Sequence, residues 1–349
     1  CFRFKQGTAM KTVLLTGVSG YIGLHCAREL LKEGYGVRGS VRSKAKSHEV
    51  QNTLASASVD TQNLAIVELD LTSDHGWEEA AKGCEYVMHV ASPFIIANPK
   101  DPQEMLGPAV DGTVRVLHAS KRAGVKRVVL TSSILAMMAS MKTGTFGPNN
   151  WTDIDAPDVS TYMKSKTLSE KAAWNFIKQQ TDGAPMELTV IAPGGAFRPP
   201  LGSNITGQSM SLLDQMLRGK LPMVPNTAFP MVDVRDVAKL HVQALNIETA
   251  AGKRIIAASA EPNGFQSAAQ FLKEEGFKGP STRVAPNFLM RLMANFDSEA
   301  EGMLALLGMN LSADNSQTRE LFNWTPISFK QSVLDAGAAV KSIQGEASY

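Results

Sequence analysis

The chain is short of the features that mark several protein classes. Only three of its 349 residues are cysteine, Cys1, Cys26 and Cys84. They form neither an even disulfide set nor a metal-like cluster, which fits a reducing, cytoplasmic setting. No apolar run reaches the roughly 18 residues that cross a bilayer, so no membrane association is expected. Charge of one sign is also scarce: 35 Lys and Arg against 33 Asp and Glu leave a net +2. That balance offers no electrostatic case for nucleic acid or an anionic surface. The six histidines show no metal-ligand spacing; His25 and His89 read as packing residues, and His241 as helix surface or packing. What remains is an ordinary globular composition, 44% hydrophobic and 19% charged, long enough for one large domain or two intimate ones. Residues 1–9 lack an apolar signal core and read as foreign to a natural start at Met10.

Short β-branched runs alternate with helical patterns through the first half, which argues for a parallel α/β sheet covered on both faces. Strands are expected at Lys11–Thr16, Gly36–Val41, Leu64–Leu69, Glu85–Val90, Lys126–Ser132 and Glu187–Ala192. Helices are expected at Tyr21–Lys32, Val110–Arg122 and Thr161–Gln179. After Pro193, Gly, Pro and Met become frequent and helices dominate, with strand-like stretches only at Met231–Val234 and Lys253–Ala258. The expected organisation is a doubly wound dinucleotide-binding unit over 10–193, with about 231–248 folding back onto it. A smaller, mostly helical substrate unit is expected over 194–230 and 249–349.

Directly after the first strand come Gly17, Gly20 and Gly23, spaced G-x-x-G-x-x-G and running into a helix. Gly17 suits a tight turn, Gly20 a close backbone approach to a pyrophosphate, and Gly23 close helix–strand packing. The helix N-terminus presents N–H groups and a positive dipole end to phosphates. Together these imply a bound nicotinamide dinucleotide. Past the second strand the sequence reads V-R-G-S-V-R-S-K-A-K, with no carboxylate to hold a ribose 2′-hydroxyl. Arg42 and Lys46 suit a 2′-phosphate instead, so NADP(H) is expected over NAD. Ser40 offers a further hydroxyl. Arg38 is a rival that ranks lower, because it lies inside the strand. Asp70 and Leu71 follow the third strand, where an adenine would sit; Asp70 reads equally well as a turn residue or cap. Val90, Ala91 and Ser92 follow the fourth strand, and their small size permits close approach of a cofactor.

Tyr162 and Lys166 stand four apart at the start of a helix and so share a face. Ser133 ends the fifth strand at the ligand-facing edge of the sheet. Reducing a carbonyl requires hydride at carbon and a proton at oxygen. The cofactor supplies the first. A tyrosine whose pKa is lowered by an ammonium can supply the second, while a serine hydroxyl stabilises the charge that develops on oxygen.

With the whole order in view, the chain resembles an extended short-chain dehydrogenase/reductase. Within that class it is similar to the dihydroflavonol 4-reductase group, which includes cinnamoyl-CoA reductases and methylglyoxal/ketone reductases. The resembling pieces are T16-G-V-S-G-Y-I-G, V41-R-S-K-A-K, V90-A-S-P, T131-S-S, Y162-M-K-S-K and V232-D-V-R-D-V-A. The resemblance implies a triad of Ser133, Tyr162 and Lys166, with Ser132 a neighbouring alternative. It implies Arg42 and Lys46 on the 2′-phosphate, and contacts to cofactor from Gly17, Ser19, Gly20, Tyr21, Ile22, Gly23 and Pro193. One departure is A192-P-G-G-A-F-R, where Phe197 and Arg198 replace small residues. Another is the run of methionines beside Ser133.

Phe94, Ile95, Met137, Met138, Gly195 and Phe229 are candidates for the substrate side, with Phe94, Met137, Gly195 and Phe229 foremost. Their apolar character suggests a hydrophobic aldehyde or ketone. The expected function is an NADPH-dependent carbonyl reductase, monomeric or homodimeric. The rival readings are a nucleotide-sugar epimerase or dehydratase, which the missing acid at Arg42 opposes, and a non-enzymatic NADP-binding redox sensor, which the Tyr162–Lys166 pair opposes. No metal is expected.

Overall fold

A computed structural model describes residues 10–93, 99–181, 183, 185–197, 201, 208–296 and 298–343. Its strands in chain order are β1 (Thr12–Thr16), β2 (Gly36–Val41), β3 (Leu64–Glu68), β4 (Tyr86–His89), β5 (Arg127–Thr131), β6 (Thr143–Phe146), β7 (Glu187–Pro193), β8 (Gly195–Phe197), β9 (Ala228–Asp233), β10 (Arg254–Ala257), β11 (Pro262–Gly264) and β12 (Asn310–Ala313). Seven of them form one sheet in the order β10-β7-β5-β4-β1-β2-β3. Every pairing in that sheet is parallel. The order reverses between β1 and β4, and a ligand crevice is expected outside the carboxyl ends of the strands there.

The central strands are buried along their length because helices cover both faces. All residues of β4 and β5 are buried, as are four of the five in β1. Val13, Leu15, Cys26, Leu30, Leu240 and Leu245 join one apolar core, in which the helices Tyr21–Lys32 and Val234–Asn246 share a face of the sheet. On the opposite face Leu14, Val87, Val128 and Leu188 pack with Val116, Leu117 and Ala173, which belong to the helices Gln103–Arg122 and Thr161–Lys178. A third core gathers Met137, Met138, Phe197, Phe229, Phe265 and Val333.

Three features depart from the sequence expectation. The stretch Lys253–Ala258, assigned to the smaller unit, supplies β10, which pairs with β7 at the edge of the large sheet. The region after Pro193 also carries more strand than its helical texture suggested. The strands β11, β9, β12 and β6 make a second sheet, and β8 pairs with β9. These strands are only three to six residues long, too short to show an alternating pattern. The helix expected at Val110–Arg122 begins at Gln103 and runs through Pro108. Buried Met105 and Ala109 anchor those early turns; in the second turn proline forfeits one backbone bond without ending the helix.

Candidate active site

The glycine loop is built by close approach of backbones. Gly17 has φ +69°, and a Cβ there would press on the Cα of Ala91 at the end of β4. Gly23 lies in the first turn of the helix Tyr21–Lys32, and a Cβ there would collide with the carbonyl oxygen of Gly17. The loop is pinned from β2: Val18 N–H donates to the Ser40 carbonyl at 3.0 Å and Gly17 N–H to Ser40 Oγ at 3.2 Å. The buried Ser40 hydroxyl therefore holds the loop and is not offered to a phosphate. Gly20 sits in extended conformation at the N-cap with no side chain to cap the helix, as a site for an incoming phosphate requires.

Thr16, which sequence reasoning passed over, ties the end of β1 to the turn after β4. Its Oγ1 accepts the N–H groups of Val90 and Ala91, both at 3.0 Å, and bonds His89 Nδ1 at 2.8 Å. With both acceptor positions filled, the hydroxyl donates its proton to Nδ1, so His89 carries its proton on Nε2. Burial, and then the charge of Lys166, push the His89 pKa down to about 3. Ser92 donates to the carbonyl of Pro93. Phe94 and Ile95 lie outside the described residues, as does Arg198.

The basic loop after β2 is exposed. Arg42 stands just past the strand end, and Lys46 pairs with Glu49 at 2.6 Å. Such an exposed pair is worth at most about 1 kcal/mol, so it competes weakly with a phosphate. Glu68, at the end of β3, accepts the Lys44 N–H at 2.8 Å and holds the loop in place. Arg38 is spent elsewhere: its Nη1 donates to the carbonyls of Ala80 at 2.5 Å and Lys82 at 2.9 Å. Asp70 turns back on its own chain. Its Oδ1 accepts the backbone N–H and the hydroxyl of Thr72, and these bonds, with the charges of Arg42 and Arg115, hold its carboxyl below the usual range. The turn role is thus observed for Asp70. Leu71 packs over Gly112.

On the other side of the crevice, β5 ends in Thr131, Ser132 and Ser133. Ser132 N–H donates to the Ile191 carbonyl and Ile134 N–H to the Pro193 carbonyl, which stitches this turn to the end of β7. The two serines part company here. Ser132 is buried and its Oγ donates to Glu170 Oε2 at 2.6 Å. Ser133 is half-exposed, and its Oγ accepts the Leu135 N–H at 3.2 Å, leaving the hydroxyl proton to point elsewhere. The helix Thr161–Lys178 starts on Ser160, whose side chain accepts from Met163 N–H. Tyr162 and Lys166 thereby fall in its first two turns, with Lys166 Nζ 5.9 Å from the centre of the Tyr162 ring.

The electrostatics of this pair differ from expectation. Burial holds the Tyr162 phenol above the ordinary tyrosine value. Burial also lowers Lys166 to about 8, against the carboxylate of Glu170, which raises it. Taking either charged form out of water costs more here than the partner returns. Tyr162 is accordingly a neutral phenol near pH 7, the form that can give up a proton.

Several substrate-side candidates are core residues. Met137 and Met138 are 1% and 0% exposed. Gly195 lies against Met231 and Phe229, which would meet a Cβ there, and Phe229 is 9% exposed. Met137, Met138 and Phe229 belong to one apolar core and expose little surface to a ligand, while Gly195 is partly exposed. Phe197 is likewise buried, edge-on to Phe329. Sequence reasoning missed Glu170 and Arg254. An acid at i+4 from Lys166 on an inward-facing stripe was the signal for the first; the second sits in a strand that was assigned elsewhere.

Residues 13–258 match the model of the NAD dependent epimerase/dehydratase family. The chain is 30% identical over 268 residues to the NADPH-dependent methylglyoxal reductase GRE2 of Saccharomyces cerevisiae, covering 71% of this chain and 78% of that one. It is 33% identical over 262 residues to cinnamoyl-CoA reductase 1 of Arabidopsis thaliana, covering 73% of each. Among solved structures it superposes on the yeast methylglyoxal/isovaleraldehyde reductase Gre2 complexed with NADPH, with a TM-score of 0.78 and 25% identity over 96% of this chain and 99% of that one.

Proposed function

Because the chain belongs to the NAD dependent epimerase/dehydratase family, we propose from its site that it is an NADPH-dependent reductase of aldehyde or ketone carbonyls. One observation carries the reading. Lys166 lies close enough to His89 for its charge to depress the imidazole, and His89 bonds Thr16, the residue before the glycine loop. This supports reading the proton-handling pair and the phosphate cradle as parts of one crevice.

The fit to a phosphorylated dinucleotide rests on this chain's own residues. Gly17 and Gly23 make a cradle that a Cβ would fill, and the uncapped N-terminus beyond Gly20 suits a pyrophosphate. Arg42 and Lys46 would hold the 2′-phosphate, Arg42 with its planar fork. In this reading Ser19, Tyr21, Ile22, Leu71, Val90, Ala91, Ser92 and Pro193 are further cofactor contacts, while Asp70 is taken up by its turn with Thr72. When bound, the cofactor supplies the hydride. Tyr162 gives its phenolic proton to the carbonyl oxygen. Lys166 stabilises the phenolate left behind, and Ser133 donates its free hydroxyl proton to the same oxygen as charge grows there.

The substrate in this reading is an aldehyde or ketone carbonyl; relatives are named for methylglyoxal, isovaleraldehyde and cinnamoyl-CoA, which share a carbonyl and differ widely in polarity. No helix among the described residues is long and apolar enough to cross a membrane, and the two described cysteines, Cys26 and Cys84, are free and buried. A cytoplasmic setting and a monomer or homodimer without nucleic-acid partners complete the proposal. The test is carbonyl-dependent oxidation of NADPH against NADH across small, aromatic and steroid-like carbonyls. A preparation carrying stoichiometric NAD and oxidising NADPH on none of them would instead favour the epimerase reading.

A further inference from the structure

Glu170 is fully buried, yet it carries a carboxylate, two turns along the helix from Tyr162 and one from Lys166. A buried carboxylate persists only where donors satisfy it. Four do. Ser132 Oγ donates to Oε2 at 2.6 Å and Trp174 Nε1 to Oε1 at 3.1 Å. Arg254 Nε donates to Oε1 at 2.5 Å and its Nη2 to Oε2 at 3.3 Å. Arg254 is itself locked, with Nη1 on the carbonyls of Pro148 and Asn150 and the guanidinium 3.7 Å from the centre of the Trp151 ring. The cluster joins three elements of the large unit: the end of β5, the helix Thr161–Lys178 and the edge strand β10.

We propose that Glu170 is a positioning residue for the reaction, fixing the Ser132–Ser133 turn through Ser132 and placing a negative charge one helical turn from Lys166. The inference rests on the reductase reading. Through space Lys166 is faced by Tyr162 and Glu170 of its own helix and by His89 from β4, while Arg254 from β10 faces Glu170. His89 is neutral, so among these groups Glu170 supplies the negative charge that favours the ammonium. Glu170 itself touches neither cofactor nor substrate in this scheme.

The pair titrates as a unit. Removing a nearby negative charge lowers the proton affinity of both members, so the phenol loses its transferable proton at a lower pH. The test is the pH dependence of kcat for NADPH-driven carbonyl reduction in the full chain, with NADPH fluorescence titration and thermal unfolding run alongside. Glu170→Gln keeps the shape and is expected to move the alkaline limb of kcat down by on the order of one pH unit. Ser132→Ala removes a hydrogen bond but no charge and is expected to lower kcat while its limb stays with the parent. A Glu170→Gln limb that coincides with the parent's, or equal movement in both variants, would overturn the proposal. If Glu170→Gln does not fold, Glu170→Asp is read in its place: it withdraws the charge by one methylene, so a downward limb supports the proposal and the parent's limb contradicts it. A parent chain with no carbonyl-dependent turnover would instead sink the reductase reading, which keeps the two failures apart.

Discussion

Single residues decide which cofactor this crevice takes and what form its acid is in. Arg42 stands exposed past β2 where other dinucleotide sites place a carboxylate. A charge-assisted hydrogen bond to phosphate is worth about 1.5–3 kcal/mol, which is roughly 10- to 100-fold in affinity. Arg42→Ala is therefore expected to raise the KM for NADPH by that factor and to leave NADH nearly unchanged; steady-state kinetics with both cofactors check it. An equal loss for both would place the 2′-phosphate elsewhere. The places of Arg42, of the Ser132–Ser133 turn, and of Tyr162 and Lys166 in the fold were legible in the sequence because each needs only a strand end or a helix start. The choice between Ser132 and Ser133 was not, since it turns on Glu170, a residue 38 positions from Ser132 whose burial only the packed structure reveals. The same holds for Arg38, whose guanidinium is claimed by carbonyls of the short helix Trp77–Ala81 and its end.

At the scale of elements, the site depends on how tightly one strand–loop–helix unit closes. The helix after β1 approaches its own loop so closely that Gly23 has no room for a methyl group. The atoms in the way are backbone of Gly17 and Val18, which cannot rotate aside as a side chain would. Gly23→Ala is expected to destabilise the fold by about 1–3 kcal/mol through overpacking. It should weaken NADPH binding as well, because the loop that must shift carries the phosphate site. Thermal unfolding and a fluorescence titration measure the two effects, and an unperturbed variant would contradict the packing role of Gly23. This unit and the strands after it were readable because near-continuous β-branched runs and a regularly spaced glycine pattern coincide. The second sheet was not, since its short strands pair across long sequence separations and carry no period of their own. The helix from Gln103 was read short because Gly107 and Pro108 mimic a break, and burial of Met105 and Ala109 outweighs them.

For the molecule as a whole, two of the buried histidines, His89 and His241, contribute to its response to acid. His89 bonds Thr16 and His241 bonds Thr131, at the ends of β1 and β5. Burial pushes their pKa values down to about 3 and about 4, the second against the hydrogen bond from Nδ1 to the Val237 carbonyl. In the unfolded chain both return to about 6.5. Below that value the unfolded state takes up protons that the folded state refuses. Stability is therefore complete above about pH 6.5 and falls as pH drops towards the folded values, by about 1.4 kcal/mol per pH unit for each histidine. The carboxylates with lowered pKa, such as Asp70 and Asp233, add their own losses only in stronger acid. Urea unfolding at pH 7.5 and pH 5.0 is expected to show a clear drop in midpoint at the lower pH, and His241→Gln to reduce that drop; an unchanged midpoint in the parent chain would contradict the buried neutral state of both rings.

The most direct test of the function is NADPH oxidation followed by absorbance, with the carbonyl panel, in the parent chain and in Tyr162→Phe. The expected result is carbonyl-dependent oxidation that is strongly preferred over NADH in the parent, and loss of at least about 100-fold in kcat in the variant, as removal of a general acid entails, with NADPH binding retained. Full turnover in Tyr162→Phe, or no carbonyl-dependent oxidation in the parent, would contradict it.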